Sequence, residues 1–334
     1  MIRILLLLLF FSMNAAWAQT IKIAAYNIYF LDDGISPARK AHLQTVFRQL
    51  DADVVACEEI ENPAALKNIL GDTYQIAMID DPNEVQELAL AARAPFKIKS
   101  QKYVFPGYRY DFEFPRSRDL LQVTVEGYGR EFIFLVYHAK SRRGGREKND
   151  PIRQGASKLM LRYLKSPEMA GKNIILMGDF NDNPDDRSLN ILEYGDPNAR
   201  AGIDTKDDTF LFNTTEQLLE KDEGSFGFNF LLENTQKEFF DPATPGSRAE
   251  NNRWRGKTYD YMKDVKIKIT LLDQILVSMN LKPYVTGVGV FNHTSAVRGD
   301  RSRIKFVDGQ LVYKHRGAFA SDHVPVWMTL DLSK

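Results

Sequence analysis

The chain has 334 residues, 44% of them hydrophobic, which is enough for one large hydrophobic core or two modest ones. Its 44 Lys and Arg residues equal its 44 Asp and Glu residues in number, which excludes a global electrostatic attraction to nucleic acid or to a membrane. Any attraction to a polyanion must therefore come from local basic patches.

Residues 1–18 have the features of a cleaved secretory signal peptide. A positive charge at Arg3 is followed by a continuous apolar run over residues 4–11 and by the sequence Ala-Trp-Ala at residues 16–18. The alternative is a membrane anchor, but the apolar run is too short to span a bilayer comfortably. We therefore predict a secreted or periplasmic protein without a stable membrane anchor, and one mature domain over residues 19–334.

Cys57 is the only cysteine of the chain, so no intramolecular disulfide can form. An exported protein without disulfides depends on its core or on a bound ion for stability, and the sequence leaves open whether a structural Ca²⁺ has this role. Cys57 itself lies within an apolar run, which favours a small buried core residue.

Strands are predicted wherever short apolar runs rich in Val, Ile and Phe recur. These runs cover residues 21–26, 53–57, 120–125, 132–137, 174–177, 269–277 and 324–330. Two helices are predicted between them, because a cap and a first turn precede apolar residues at helical spacing at Ser36-Pro37 and at Asp150-Pro151. Strands with covering helices indicate stacked layers, with α outside and β within.

Long irregular segments in a compact domain are often functional. The stretches that resist assignment are rich in Gly, Arg, Asn and Tyr and cover residues 105–118, 241–265 and 291–318. The first of them carries aromatic residues at every second position, at Tyr108, Tyr110, Phe112 and Phe114. This alternation favours a half-buried strand face over a surface that stacks on bases.

Polar residues interrupt the ends of several predicted strands. They are Asn27, Glu58, Glu59, His138, Asp179, Asn181, Asp273, Asp322 and His323. Taken singly, each has an ordinary explanation, since Asp and Asn commonly start turns. Taken together, such strand ends can converge on one rim of packed sheets and form an anionic pocket. In IILMGDFNDNP, Asp179 and Asn181 lie two apart, so that after a turn at Gly178 both can point the same way from an extended chain.

The chemistry of these side chains favours a hard cation. Carboxylate oxygens with an adjacent amide suit Mg²⁺, Mn²⁺ or Ca²⁺ better than zinc, and histidines add proton transfer near neutral pH. Together, these groups are typical of phosphoester hydrolysis by water. The sequence contains no nucleophile elbow and no phosphate-cradling glycine loop, which disfavours a serine hydrolase, an ATPase and a dehydrogenase.

In their order along the chain, these motifs resemble those of the endonuclease/exonuclease/phosphatase superfamily, and in particular its deoxyribonuclease-I-like, secreted bacterial-type members. The segments that carry the resemblance are AAYNIYF, DVVACEEIEN, SRDLLQV, VYHAKSRRGG, MGDFNDNP, LLDQILVS and SDHVPV. The resemblance covers nearly the whole mature chain. It implies a four-layered α/β sandwich, in which two packed mixed β-sheets are flanked by helices and the site lies on one rim of the sheets.

The resemblance also implies a metal site. Glu59 would bind the divalent ion, Mg²⁺ or Mn²⁺, with Asn27 and Asp322 contributing to the site. Glu58 is the competing ligand. Whether one ion or two would bind is left open, and one site near Glu59 is predicted.

The remaining implied roles concern catalysis. Asp179 would position or polarise the attacking water or the leaving group, and Asn181 would bind the phosphate. His323, oriented by Asp273, would contact the scissile phosphate or act as a base. His138 would be the second acid or base.

The substrate has to be inferred from local features, since a shared fold does not fix it. Arg118 would steady the phosphate by resemblance, and Arg142 and Arg143 follow His138 closely. Basic residues beside a phosphodiester site favour contacts to the phosphate backbone of nucleic acid, although ordinary solvated charge explains them about equally well. We therefore predict a monomeric, metal-dependent, non-specific endonuclease that hydrolyses DNA or RNA.

Two alternatives stay open. One is a secreted phosphodiesterase or phosphatase that acts on a lipid or small-molecule phosphoester, as sphingomyelinases do, although the sequence shows no long apolar hairpin for a membrane. The other is a non-catalytic binding module, against which the intact set of polar residues argues.

Overall fold

The computed structural model describes residues 19–81, 84, 86–115, 119–142, 146–202, 208–221, 223–226, 270–291, 303–307, 310–314 and 320–333. The predicted signal peptide, Arg118, Arg143 and the stretch 241–265 lie outside these residues. Within the described ranges, no helix is both long enough and apolar enough to cross a membrane.

The described residues form fourteen strands and five α-helices. The strands are β1 (Thr20–Leu31), β2 (Val54–Ile60), β3 (Tyr74–Met78), β4 (Glu87–Arg93), β5 (Lys97–Tyr103), β6 (Leu121–Gly127), β7 (Arg130–His138), β8 (Asn173–Asp179), β9 (Leu211–Asn213), β10 (Asp273–Ser278), β11 (Val285–Val290), β12 (Arg303–Val307), β13 (Gln310–Lys314) and β14 (Val326–Asp331). The helices are α1 (Pro37–Leu50), α2 (Pro63–Leu70), α3 (Arg146–Leu164), α4 (Arg187–Tyr194) and α5 (Glu216–Glu220). Among the described residues, β3 to β7 follow one another without an α-helix between them.

These strands form two mixed sheets of six strands each. The first sheet has the order β11-β14-β1-β2-β4-β3 and the second has the order β5-β6-β7-β8-β10-β9, while β12 and β13 pair separately. Each sheet contains one parallel pair, β1 with β2 and β7 with β8, and its other neighbours are antiparallel. The carboxyl ends of paired parallel strands lie at the same edge of a sheet, which decides where the polar residues meet.

The main core lies between the two sheets. Alternate residues of each strand point inward, for example Ile23 and Val54 from the first sheet and Phe134 and Ile175 from the second. Helices α1 and α2 cover the outer face of the first sheet, and α3 and α4 cover that of the second. Each such apolar side chain contributes about 1.5–3 kcal/mol when fully buried. The arrangement confirms the predicted four-layered α/β sandwich.

Both predicted helices form, at Ser36 and at Asp150-Pro151, but the predicted start of the second one is wrong. Ser36 caps α1, since its hydroxyl accepts a hydrogen bond from the amide of Arg39 at 3.1 Å. Helix α3 begins earlier, at Arg146, and contains Pro151. Proline removes only one backbone hydrogen bond near a helix start, and an ion pair between Arg153 and Asp150 spans the same turn.

The stretch 105–118 does not form the half-buried strand face that its alternation favours. Tyr108 lies in a 3₁₀ turn and is 91% exposed, and Phe112 is 63% exposed. Phe105 and Phe114 are buried and stack with their ring centroids 5.0 Å apart. A short turn, anchored by two buried rings, therefore carries two exposed ones.

Candidate active site

Five strands and the segment after residue 319 bring the polar residues to one rim. In the first sheet Asn27 pairs with Glu58, next to Glu59. In the second sheet Asp179 pairs with His138 on one side and with Asp273 on the other. All of these residues are at least nine-tenths buried. The sequence prediction that the strand ends converge is therefore correct in its geometry.

Asn27 connects the two sheets. Its side-chain amide donates one hydrogen bond to Glu59 Oε1 at 3.3 Å and another to Asp179 Oδ2 at 3.1 Å. The amide of Tyr29 donates to Asn27 Oδ1 at 3.0 Å, so the oxygen of Asn27 is turned back and its nitrogen faces the carboxylates.

Several residues at this rim have left-handed backbone angles. Tyr29, Phe30, Glu59 and Asn181 have φ angles of 59°, 51°, 62° and 50°. Residues other than glycine rarely adopt this conformation, and such strain collects at functional sites. Glu59 lies in an irregularity of β2 between Glu58 and Ile60, which changes the direction of its side chain relative to a regular strand.

Asp179 and Asn181 are close together, but the predicted reason is wrong. The amide of Asn181 donates to Asp179 Oδ1 at 2.8 Å, and its side-chain nitrogen donates to Asp179 Oδ2 at 3.1 Å. The chain turns at the left-handed Asn181 itself rather than continuing as an extended strand. The side-chain nitrogen also donates to Ala139 O at 3.2 Å, so Asn181 can bind a phosphate only by exchanging one of these bonds.

Gly178 lies within strand β8, and the turn predicted at this residue does not form there. Its φ angle is 133°, and a Cβ atom there would lie 2.1 Å from the carbonyl oxygen of Tyr137 and 2.9 Å from Glu58 Oε1. Only glycine fits both the backbone angle and this close approach. Gly178 therefore makes room for Glu58 directly behind the site.

His323 and Asp273 form a buried pair. Their Nδ1 and Oδ2 atoms are 2.8 Å apart, and Nε2 of His323 lies 3.9 Å from Asp179 Oδ2. The ring also packs against Phe226, with centroids 4.8 Å apart. Burial alone would lower the pKa of His323, but the charge of Asp273 and its hydrogen bond, with Asp179 and Asp322, raise that pKa well above its ordinary value. The neighbouring carboxylates therefore favour the positively charged form of the ring.

His138 faces the same carboxylates from the other side. Its Nε2 atom lies 3.6 Å from Asp179 Oδ2 and 3.7 Å from Glu59 Oε1. Asp179 thus lies between the two histidines, with Asn27 and Asn181 donating to it. Burial raises the pKa of Asp179, and the nearby charge of His323 opposes that shift.

The pocket concentrates buried carboxyl groups. Burial raises the pKa of Glu59 to about 7, and the charge of Asp322 adds to this effect. Burial likewise raises the pKa of Glu58 well above its ordinary value, with Asp273 and Asp179 adding to it. Both oxygens of Glu58 and Oε2 of Glu59 have no hydrogen-bond partner. Unpartnered buried carboxyl oxygens are costly, and a divalent cation would satisfy them.

The donor set fits a hard cation bound mainly by water and one or two carboxylates. Glu59 is the most suitable ligand, because its Oε2 atom has no hydrogen-bond partner and the residue is still 8% exposed. The buried Asp322 is close enough to raise the pKa of Glu59. In the part of the chain that the structure describes, no three His, Cys, Asp or Glu side chains form a ready metal cage. Mg²⁺ does not require one, because it keeps several waters and shares substrate oxygens.

Arg142 does not lie where a substrate could touch it. Its side chain is fully buried and donates to the carbonyl oxygen of Asn181 at 2.6 Å, to Asp186 at 2.5 Å and to Asp182 at 3.3 Å. The predicted contact between Arg142 and a phosphate backbone is therefore corrected. Arg142 supports the loop after Asp179 from inside the protein. Arg118 and Arg143 lie outside the described residues.

Sequence reasoning missed a second buried arginine, Arg39, which is only 1% exposed. It occupies the buried face of α1 at helical spacing from Leu43, Phe47 and Leu50. A cation on an otherwise apolar helix face is a signal that could have identified it, because a buried guanidinium needs several acceptors.

Comparisons with known proteins agree with this fold. A family model described as "Endonuclease/Exonuclease/phosphatase family" matches residues 40–235. No protein of curated function matches the chain.

Among solved structures, TDP2 of D. rerio complexed with a single-strand DNA product has a TM-score of 0.56 at 15% identity, over 93% of this chain and 98% of that one. The mannosyl-6-phosphatase Bt3783 of Bacteroides thetaiotaomicron has a TM-score of 0.54 at 17% identity, over 92% and 98%. The human Nocturnin catalytic domain with bound sulfate has a TM-score of 0.52 at 15% identity, over 93% of each chain. At these identities, the structures show a shared fold.

We expect Gly178→Ala to destabilise the protein and to distort the pocket, because the added methyl group would overlap the carbonyl oxygen of Tyr137. The free energy of unfolding should fall by about 2 kcal/mol or more, as for other strained or overpacked sites. Urea denaturation would measure this loss. Gly129→Ala is the matched control, since Gly129 also has a positive φ angle but meets no atom within 4 Å. An equal loss in both variants would attribute the effect to backbone angle alone.

We expect Arg142→Met to lower the free energy of unfolding by about 3–5 kcal/mol, because it removes a buried cation from the carboxylates of Asp182 and Asp186. Thermal or urea denaturation of the two proteins would measure the difference. A variant as stable as the wild type would contradict the stabilising role of the ion pairs that Arg142 makes.

Proposed function

The chain belongs to the endonuclease/exonuclease/phosphatase family, and on this basis we propose that it is a metal-dependent phosphoesterase. Within that class, we propose an exported, non-specific endonuclease that hydrolyses backbone phosphodiesters of DNA or RNA by activated water. The observation that carries the phosphoesterase proposal is the amide of Asn27, which bridges Glu59 and Asp179 beside the His323–Asp273 pair.

Glu59 would hold Mg²⁺ or Mn²⁺, with Asn27 and Asp322 next to it. When bound, such an ion supplies positive charge that stabilises the phosphate oxygens. Asp179 accepts from Asn27 and Asn181, and its carboxylate is held in position to orient a water molecule for attack on phosphorus and to take up the proton that this water releases.

The two histidines have different roles in this proposal. Asp273 binds Nδ1 of His323, which leaves the protonated Nε2 to donate a hydrogen bond to a phosphate oxygen. His138, with its Nε2 atom also beside Asp179, would give a proton to the leaving oxygen. Glu58 and Gly178 lie behind these groups, and the burial of the pocket excludes bulk water, which strengthens each interaction.

The exposed aromatic turn supports a polynucleotide substrate. Loop residue Phe114 packs against Tyr137 with ring centroids 5.8 Å apart, and Tyr137 directly precedes His138. The turn that carries Tyr108 and Phe112 is thus attached to the strand end at the catalytic rim. Aromatic rings stack on bases of single strands without regard to sequence. A structural neighbour, TDP2 of D. rerio, is complexed with single-strand DNA.

A lipid or small-molecule phosphoester is the second candidate. The correction of Arg142 favours it, because one of the arginines that pointed to a polynucleotide is buried in ion pairs. The neighbouring fold of a mannosyl-6-phosphatase is compatible with a small substrate.

The proposal is tested by turnover of bis(p-nitrophenyl) phosphate and by plasmid nicking, with Mg²⁺, Mn²⁺ or EDTA. We expect metal-dependent activity that falls about 10²–10⁴-fold in Asp179→Asn, because the carboxylate is lost while the shape of the side chain is kept. Asp53→Asn is the control, since Asp53 binds Arg93 at the other end of β2. Near-normal turnover by Asp179→Asn would remove Asp179 from the chemistry. Diester turnover without nicking would favour the second candidate.

Replacing both exposed rings, in Tyr108→Ala with Phe112→Ala, should lower kcat/KM for single-stranded oligonucleotides by about 10- to 100-fold, the value of one or two lost stacking contacts. Hydrolysis of bis(p-nitrophenyl) phosphate should be unchanged. Tyr128→Ala is the matched control, because Tyr128 is a 39% exposed ring in the β6–β7 turn, at the opposite end of β7 from His138. Equal oligonucleotide cleavage in the variant and the control would exclude these rings from the substrate site.

A further inference from the structure

The guanidinium of Arg39 joins two chain segments that carry residues of the candidate active site. Its Nη2 atom donates to the carbonyl oxygens of Ile28 and Tyr29, both at 2.6 Å. Its Nε atom donates to the carbonyl oxygen of Ala320 at 2.9 Å. The side chain extends from α1, on the outer face of the first sheet, to the rim.

The first segment orients Asn27. Ile28 and Tyr29 follow Asn27 directly, and Tyr29 has the left-handed φ angle of 59°. In this conformation its amide donates to Asn27 Oδ1, which turns the nitrogen of Asn27 toward the carboxylates. The two bonds from Arg39 hold the carbonyl groups of the same turn, and therefore oppose its return to an extended strand.

The second segment orients His323. Ala320 is followed by Ser321, whose hydroxyl donates to the backbone oxygen of Asn27 at 2.7 Å and accepts from the amide of His323 at 3.2 Å. Arg39 thus holds the start of a segment that binds back to Asn27. One cation fixes both a strand end of the first sheet and the segment that delivers the imidazole.

From this arrangement we propose that Arg39 is a positioning residue for phosphoester hydrolysis, which sets the relative placement of Asn27 and His323 without touching the substrate. The catalytic consequence of this inference rests on the proposed function, whereas the hydrogen bonds by which Arg39 holds both segments do not depend on it. Only arginine presents donors in a rigid fork, so a lysine would keep the charge but could not reach both segments in the same geometry.

The test compares Arg39→Lys with Arg93→Lys. Arg93 is a structural arginine that also joins two positions, since it binds Asp51 and Asp53, but it lies at the other end of the first sheet. Both substitutions should lower the melting temperature. With bis(p-nitrophenyl) phosphate, well below either melting temperature, Arg39→Lys should lower kcat about 10- to 100-fold with KM within about threefold, because displaced catalytic groups slow chemistry. Arg93→Lys should leave kcat within about twofold of the wild-type value.

Hydrogen exchange measured by mass spectrometry gives a second readout that needs no turnover. Arg39→Lys should speed exchange at least about tenfold in peptides covering residues 26–31 and 320–325, whereas Arg93→Lys should not. If Arg39→Lys does not fold, Ser321→Ala removes the hydroxyl between the segments and should lower kcat in the same direction, again without raising KM.

These outcomes separate the two proposals. Wild-type protein that hydrolyses no phosphoester would overturn the proposed function, while the exchange experiment would still decide whether Arg39 fixes both segments. Unchanged kcat and exchange in Arg39→Lys, beside an active wild type, would overturn the positioning role alone. If Arg39→Lys lost as much stability as Arg93→Lys but retained its kcat, the positioning role would likewise be overturned.

Discussion

The side-chain amide of Asn27 is the contact on which the candidate site depends, because it joins a carboxylate of the first sheet to one of the second. Elsewhere the two sheets meet mainly through apolar packing, and hydrophobic attraction has no direction. Hydrogen bonds do have direction, and in a dry pocket they are stronger than in water. The distance between Glu59 and Asp179 is therefore fixed at the point where the chemistry requires it.

The second constraint is charge. Several carboxyl groups lie buried at the rim, and their raised pKa values reflect the free-energy cost of ionising them away from solvent. The positive charge of His323 offsets part of it, and the remaining oxygens without partners leave room for a cation. Binding such an ion to the folded chain alone would also stabilise the fold, so metal content and stability are linked through Glu58 and Glu59.

The amino-acid sequence predicts the layers and the members of the rim but not the way in which they are held. Apolar runs identify the strands β1, β2, β6, β7, β8, β10 and β14 but miss the others, and polar residues at strand ends identify Asn27, Asp179 and His323, since both signals are local. The supports are not local. Arg39 and its acceptor Ala320 are 281 positions apart, and Arg142 shows its burial only once the Asp182 loop has folded onto it.

The same limit explains the errors. Asp150-Pro151 has the composition of a helix start, but residues 146–149 before it are helical as well. The spacing of Asp179 and Asn181 suggests an extended chain, whereas the hydrogen bonds between these two residues select a left-handed turn. Local patterns give the elements, and long-range contacts decide their ends.

The burial of Cys57 has a practical consequence. Its thiol lies in the core with no measurable exposure, and burial raises its pKa well above the ordinary value, so the reactive thiolate does not form near neutral pH. A cysteine placed at an exposed position such as Tyr108 would then be the only thiol open to labelling in the native protein. The chain is in effect cysteine-free toward maleimide dyes and spin labels, and distances from the rim to any chosen surface point can be measured without first removing a native residue.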